Sequence, residues 1–306
     1  MTTLVFGHKS PDTDSTGSPI IWAWFLNEVL DVKAKPALLG EPNTEALFML
    51  DHWKLDKPEI ISDVADDQPV VIVDTNNPAE LPANINNADI RAIIDHHKLV
   101  GGLETKAPIH MVIEPLACTA TIMWKLIGKD MAKMPENVKG AMLTCILSDT
   151  LEFRSPTTTQ EDKAVAWSLA EELGVNIPEY AAAMFAAKSD VSSFSEAELL
   201  RMDSKEFEVD GKKLRVSVLE TTSPATVLDR KDALMAAMPG VATEDGADQV
   251  LLFVVDILNE EATLLVPNEM TKSIAEKSFD AKVSGDTVVL PGIMSRKKQI
   301  IPNLKV

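Results

Sequence analysis

Three apolar runs early in the chain each stop at a cluster of histidine and aspartate. Leu4-Val5-Phe6 reaches Gly7, and His8, Asp12 and Asp14 are expected to follow within one short loop. Val70-Val71-Ile72-Val73 runs into Asp74, and Ala92-Ile93-Ile94 runs into Asp95-His96-His97. Runs apolar on both faces read as strands covered on both sides, and amphipathic segments over 18–29 and 45–53 supply helices between them. Together with a further strand signal over 35–39, this predicts an α/β fold with a parallel sheet and helices on both faces. Ligands of such sheets collect beyond the carboxyl ends of the strands, where these His and Asp residues fall.

Further helices are expected over 119–127 and 136–147, the second running into Ser148-Asp149-Thr150. Thr159 with Asp162 has the spacing of a capping box before a helix that ends near Gly174. A polar, Ser-rich stretch follows, Lys188-Ser189-Asp190-Val191-Ser192-Ser193. It divides the chain into a first domain over 1–187, a hinge over 188–194 and a second domain over 195–306. Beyond it the pattern changes to strands over 206–209, 213–220, 249–257, 263–266 and 288–290, with Asp210-Gly211 as a hairpin turn. Helices are expected over 224–238 and 271–279, giving a smaller α/β domain with a mixed or antiparallel sheet.

The 306 residues carry a formal net charge of -18, a field that repels polyanions and argues against nucleic acid as a partner. A small anion remains possible, because a local cluster of cations and metals outweighs the mean field. No apolar run approaches the ~20 residues that span a bilayer, and the N-terminus enters a strand without a basic leader. Cys118 and Cys145 lie in apolar surroundings and read as buried reduced thiols of a cytoplasmic protein.

His8, Asp12, Asp14, Asp74, His96 and Asp149 make a set of nitrogen and oxygen donors without thiolate. That set exceeds one tetrahedral zinc and suits two octahedral-type ions such as Mn²⁺. A carboxylate bridging two such ions lets them share a water, lower its pKa and direct the hydroxide in line at phosphorus. Taken singly, each of these aspartates reads as a turn former or helix cap, as Asp12 after Pro11 does. Their joint occurrence at strand ends carries the metal reading. His52 beside Trp53, and His110 in a strand-like run, read as structural histidines.

His8-x-x-x-Asp12-x-Asp14, Asp74 at a strand end and Asp95-His96-His97 resemble the DHH phosphoesterase superfamily. Within it the chain resembles family II, manganese-dependent, inorganic pyrophosphatases. The further matches are Ser148-Asp149-Thr150, Ser155-Pro156-Thr157-Thr158-Thr159, Lys205 in Asp203-Ser204-Lys205-Glu206-Phe207, and Ser295-Arg296-Lys297-Lys298-Gln299. The resemblance implies that His8 and Asp12 bind one metal, that Asp14, His96 and Asp149 bind the other, and that Asp74 bridges them. It implies that His97, Lys205, Arg296 and Lys297 hold the phosphates, the last three from a domain that closes over the metals. Asp95 is expected to orient a neighbouring imidazole. Lys298 is left out, since alternation along a strand would turn it away from its neighbour.

The implied reaction is hydrolysis of pyrophosphate to two phosphates by a metal-bridged hydroxide at a dinuclear site between the two domains. The implied cofactor is Mn²⁺, two per subunit, with Co²⁺ or Mg²⁺ as substitutes and further Mg²⁺ or Mn²⁺ arriving with substrate. The implied assembly is a cytoplasmic homodimer with no nucleic-acid or membrane partner. The rival is a DHH-type phosphodiesterase or exopolyphosphatase acting on short oligonucleotides or polyphosphate. Phosphodiesterases of that kind carry a Gly-Gly-His-type segment in the second domain and strand-binding basic or aromatic surfaces, and neither feature occurs here.

Overall fold

A computed structural model describes residues 1–306, which divide into two compact units, Met1–Ala187 and Lys188–Val306. The first unit is built on six parallel strands: β1 (Thr3–Phe6), β2 (Ala34–Leu38), β3 (Glu59–Ile60), β4 (Pro69–Val73), β5 (Asp89–Asp95) and β6 (His110–Ile113). Their spatial order is β3-β2-β1-β4-β5-β6. The chain therefore builds outward from β1 in one direction, then returns to β1's other side and builds the opposite way. The crevice between the carboxyl ends of β1 and β4 is the switch point, the place such sheets leave open for a ligand.

Helix α1 (Thr13–Glu28) begins five residues earlier than the apolar periodicity predicts. Asp12 caps it by accepting from the Ser15 amide at 3.0 Å. Its first turns are polar yet buried, from Thr13 through Ser18, so no amphipathic stripe announces them. Asp14 consequently lies in the first turn of a helix and not in a loop. Gly7 and Gly17 permit close approaches: a Cβ on Gly7 would stand 2.5 Å from Ser15 Oγ, and one on Gly17 2.3 Å from Cys145 Sγ. The remaining helices are α2 (Thr44–His52), α3 (Thr119–Ile127), α4 (Glu136–Asp149), α5 (Gln160–Leu173) and α6 (Ile177–Lys188). Thr159 and Asp162 form the expected capping box, and Gly174 ends α5 in the left-handed region at φ 66°. Both cysteines are buried free thiols. His52 packs its ring edge on Tyr180 at 4.9 Å, whereas His110 is exposed on the edge strand.

The second unit comprises α7 (Glu196–Arg201), β7 (Ser204–Val209), β8 (Lys212–Thr221), α8 (Ala225–Leu228), α9 (Lys231–Glu244), β9 (Gln249–Asp256), β10 (Glu261–Leu265), α10 (Glu269–Phe279) and β11 (Thr287–Pro291). The sheet order is β11-β10-β9-β8-β7, with β8 and β9 parallel and the other pairs antiparallel, so the sheet is mixed. Strand β9 is buried throughout because the sheet is covered on both faces. Leu200, Leu234 and Met238 pack on one side, and Ile274, Ala275 and Ile300 on the other. The β7–β8 turn places Asp210 and Gly211 at φ 50° and 74°, the conformation its Asp-Gly sequence favours. The predicted helix over 224–238 is two helices, α8 and α9. The polar stretch after α6 is fastened to this unit: Ser189 Oγ lies 3.0 Å from Thr222 Oγ1, and Arg230 donates to the carbonyls of Val191 and Phe194 at 2.9 and 2.8 Å.

Candidate metal centre

At the switch point of the first unit, the carboxyl ends of β1, β4 and β5 meet at one carboxylate. Asp74 follows β4 and is 1% exposed, with its backbone in the left-handed region at φ 58° and its amide donating to the Ile94 carbonyl at 2.9 Å. A non-glycine residue in that region is held there by its surroundings. His8 Nε2, from the β1–α1 turn, stands 3.5 Å from Asp74 Oδ2 and 3.6 Å from Asp12 Oδ2. His96 Nε2, just past β5, stands 3.3 Å from the other oxygen, Asp74 Oδ1.

The donor atoms fall into groups whose members lie within 4.8 Å of one another: His8, Asp12 and Asp74; Asp14, His96 and Asp149; and Asp74, His96 and His97. Asp14 comes from the first turn of α1 and Asp149 from the last residue of α4. Both ligand-type imidazoles are oriented by main-chain carbonyls. His8 Nδ1 faces Lys9 O at 2.7 Å and His96 Nδ1 faces Leu116 O at 3.2 Å, which fixes Nδ1 as the donor and makes Nε2, turned toward the carboxylates, the nitrogen that a cation would take in place of a proton.

This cluster is costly without a cation. Burial, then the charge of Asp14, pushes Asp74 up to about 7. Asp149 rises well above the usual carboxylate range for the same reasons, burial first and then Asp14 and Asp74. Burial opposes protonation of the histidines, but Asp12 and Asp74 raise His8 to about 9, and Asp74 with Asp14 raises His96 to about 9. The pocket thus holds protons where divalent ions would neutralise it better. Asp149 Oδ2 is buried and accepts no hydrogen bond, as an oxygen reserved for a cation would be. Oxygen and imidazole donors without thiolate fit Mn²⁺.

His97 shares a group with Asp74 and His96, its Nδ1 3.9 Å from Asp74 Oδ1, but its hydrogen-bond partner is Asp95. Asp95 is fully buried, and its Oδ1 accepts from His97 N at 3.0 Å and faces His97 Nδ1 at 2.9 Å. Asn76 Nδ2 donates to Asp95 Oδ2 at 2.6 Å. Asp95 therefore steadies His97, whose side chain is 53% exposed, and not His96. Ser15 and Thr119 are contacts that sequence reasoning missed: Ser15 Oγ donates to Asp74 Oδ2 at 2.5 Å and Thr119 Oγ1 to Asp74 Oδ1 at 3.2 Å. Both open helices, where a hydroxyl ordinarily signals a cap, so nothing local marks them.

In the second unit Lys205, Arg296 and Lys297 line one cavity of about 430 Å³. The segment Arg296–Ile300 is a wide helical turn and not the strand expected there. Gln299 folds it, its Oε1 accepting from the amides of Met294 and Ser295 at 2.9 Å each and its Nε2 donating to Gly292 O at 2.6 Å. Strand alternation is therefore not what separates Lys298 from its neighbours; it is exposed and does not line the cavity. The Arg296 guanidinium is held by Asp203, at 2.6 Å to the carbonyl and 2.8 Å to Oδ1. A larger cavity of about 700 Å³ in the first unit lies against Trp22, Leu26, Val112 and Leu126 and contains none of the donors.

Residues 2–149 match the DHH family N-terminal domain and residues 182–306 the DHHA2 domain. A "probable manganese-dependent inorganic pyrophosphatase" of Deinococcus radiodurans is 40% identical over 307 residues, covering 98% of this chain and 97% of that protein. One of the same name from Lactobacillus acidophilus is 36% identical over 303 residues at the same coverage. The crystal structure of a "putative family II inorganic pyrophosphatase" from Methanococcus jannaschii is 35% identical, covers 99% of this chain and 98% of that one, and superposes with a TM-score of 0.61. An exopolyphosphatase-related protein from Bacteroides fragilis, 12% identical with a TM-score of 0.52, shares the fold. By full-length identity to these relatives, the chain belongs to the family II, manganese-dependent, inorganic pyrophosphatases of the DHH family.

Proposed function

We propose that the chain hydrolyses pyrophosphate to two phosphates, using two Mn²⁺ ions. His8 and Asp12 would hold one, Asp14, His96 and Asp149 would hold the other, and Asp74 would serve both. The observation that carries this reading is Asp74 itself, a buried carboxylate with one imidazole Nε2 facing each oxygen. When bound, the metals supply an acidified water and neutralise phosphate charge. The chain's own residues do the rest. The main-chain carbonyls of Lys9 and Leu116 hold a proton on each Nδ1 and aim each Nε2 at the carboxylates, and Asp95 fixes His97 to donate to a phosphate oxygen. Arg296 offers a planar fork and Lys205 and Lys297 point charges to the phosphates, which stabilises charge on the departing group.

We further propose that the cations of the second unit act on the same substrate through a closing motion about the end of α6. The open edge of β6, with Met111 exposed and its neighbours His110 and Val112 lining the apolar cavity, supports a homodimer. Reduced buried thiols support the cytoplasm, and no helix is long and apolar enough to cross a membrane. Mg²⁺ or Co²⁺ would substitute for Mn²⁺ at the same oxygen and imidazole donors, and further Mg²⁺ or Mn²⁺ would enter as the counter-ion of the substrate.

The test is phosphate release from pyrophosphate, tripolyphosphate and a short oligonucleotide by chelator-stripped protein, with and without Mn²⁺. Release from pyrophosphate alone, restored by Mn²⁺, is expected. Preference for the oligonucleotide, or full activity without divalent ions, would refute the reading.

A further inference from the structure

We propose that Ser15 and Thr119 are positioning residues that aim the two oxygens of Asp74 apart, one at each metal position. Ser15 sets the His8–Asp12 position and Thr119 the Asp14–His96–Asp149 position. The proposal rests on the two-metal reading above.

Each oxygen of Asp74 has one hydroxyl donor and one imidazole neighbour. Oδ2 accepts from Ser15 Oγ at 2.5 Å and faces His8 Nε2 at 3.5 Å. Oδ1 accepts from Thr119 Oγ1 at 3.2 Å and faces His96 Nε2 at 3.3 Å. The hydroxyls also reach the other donors on their own side. Ser15 Oγ accepts from His8 N at 3.2 Å, and the Ser15 amide donates to Asp12 Oδ1 at 3.0 Å, so Ser15 touches all three members of its group. The Thr119 amide donates to Asp14 Oδ2 at 2.7 Å while its hydroxyl holds Asp74, joining the opposite group to the shared carboxylate. Both residues are fully buried, so water does not compete for these bonds. A carboxylate free to rotate about its χ2 would present both oxygens to either side. Two hydroxyls donating from opposite sides remove that freedom and leave one outward lone pair per oxygen for a cation.

The experiment is Mn²⁺ titration of the full chain by calorimetry and electron paramagnetic resonance, on Thr119→Val, Thr119→Ser and Ser15→Ala. Thr119→Val removes the hydroxyl and keeps the amide. It should weaken one of two Mn²⁺ ions by about 10–100-fold, as loss of a group orienting a ligand does, and Thr119→Ser should restore it. In an Asp14→Asn background, which keeps only the His8–Asp12–Asp74 position, Ser15→Ala should weaken the remaining ion by about 10–100-fold. Thr119→Val should there change it by less than about threefold. A merely structural role would lower both affinities equally and would not distinguish the two variants; that outcome overturns the proposal. So does unchanged binding of both ions in both variants. If Thr119→Val fails to fold by circular dichroism, Ser15→Ala against the Asp14→Asn background decides alone. Wild-type protein that binds fewer than two Mn²⁺ overturns the two-metal reading and this proposal together, whereas two ions bound normally by all variants overturns this proposal only.

Discussion

Metal binding to this pocket should expel several protons, and the number follows from the groups that must give them up. At pH 7 His8 and His96, both raised to about 9, each carry a proton on Nε2 that a cation must displace. Asp74 at about 7 carries one half of the time, and the upward shift of Asp149, from burial and from Asp14 and Asp74, acts in the same direction. Loading both ions at pH 7 should therefore release at least about two protons per chain. Each released proton makes the joint affinity rise tenfold per pH unit, so the product of the two association constants should climb by at least about two decades between pH 6 and 7. Above pH 9 the imidazoles are already neutral and the slope should flatten. Isothermal titration of stripped protein with Mn²⁺ in two buffers of different ionisation enthalpy counts the protons directly. Release of fewer than one proton at pH 7 would mean that the carboxylates and imidazoles do not share protons as their packing implies, and that their mutual repulsion does not call for a cation.

The same shifts set the stability of stripped protein: folded pKa values of about 9 for His8 and His96 against 6.5, and about 7 for Asp74 against 3.8, mean that the native state binds more protons than the unfolded one. Its unfolding free energy should fall as pH rises from 6.5 to 9, at about 1.4 kcal/mol per differential proton per pH unit, and a melting temperature that rises over that window would contradict the shifts. Asp74→Asn should lose both metals by mass spectrometry, whereas Asp14→Asn should lose one; equal single-metal loss in the two variants would count against the shared role. Arg296→Ala should bind both metals normally yet turn over pyrophosphate ~10²–10³-fold more slowly, because it removes only a charge clamp. Near wild-type turnover in that variant would leave the C-terminal cations without a role in the reaction.

The amino-acid sequence by itself determined the local features of this protein. An apolar run that ends at His8, Asp74 or Asp95 is a strand with its polar residues past its carboxyl end, whatever lies beside it, because side-chain burial along a strand is a near-neighbour property. The same holds for the Thr159–Asp162 capping box, the left-handed Gly174 and the Asp210-Gly211 turn, each set by a few adjacent residues. Buried polar sequence defeated that reasoning at the start of α1, where Thr13 through Ser18 are interior without being apolar. It failed again at Arg296–Ile300, where Gln299 reaches back to Met294, Ser295 and Gly292 and makes a turn of what reads as a strand. Only the tertiary structure decided which strand ends meet. The return of β4 to the free side of β1 puts Asp74 beside His8, and β5 next to β4 brings His96 to the other oxygen. The donors Ser15 and Thr119 lie 59 and 45 residues from Asp74, so no local pattern could pair them with it. Strand order is fixed by packing of the whole sheet and its helices, and a hydroxyl that orients a carboxylate looks, in sequence, like any helix cap.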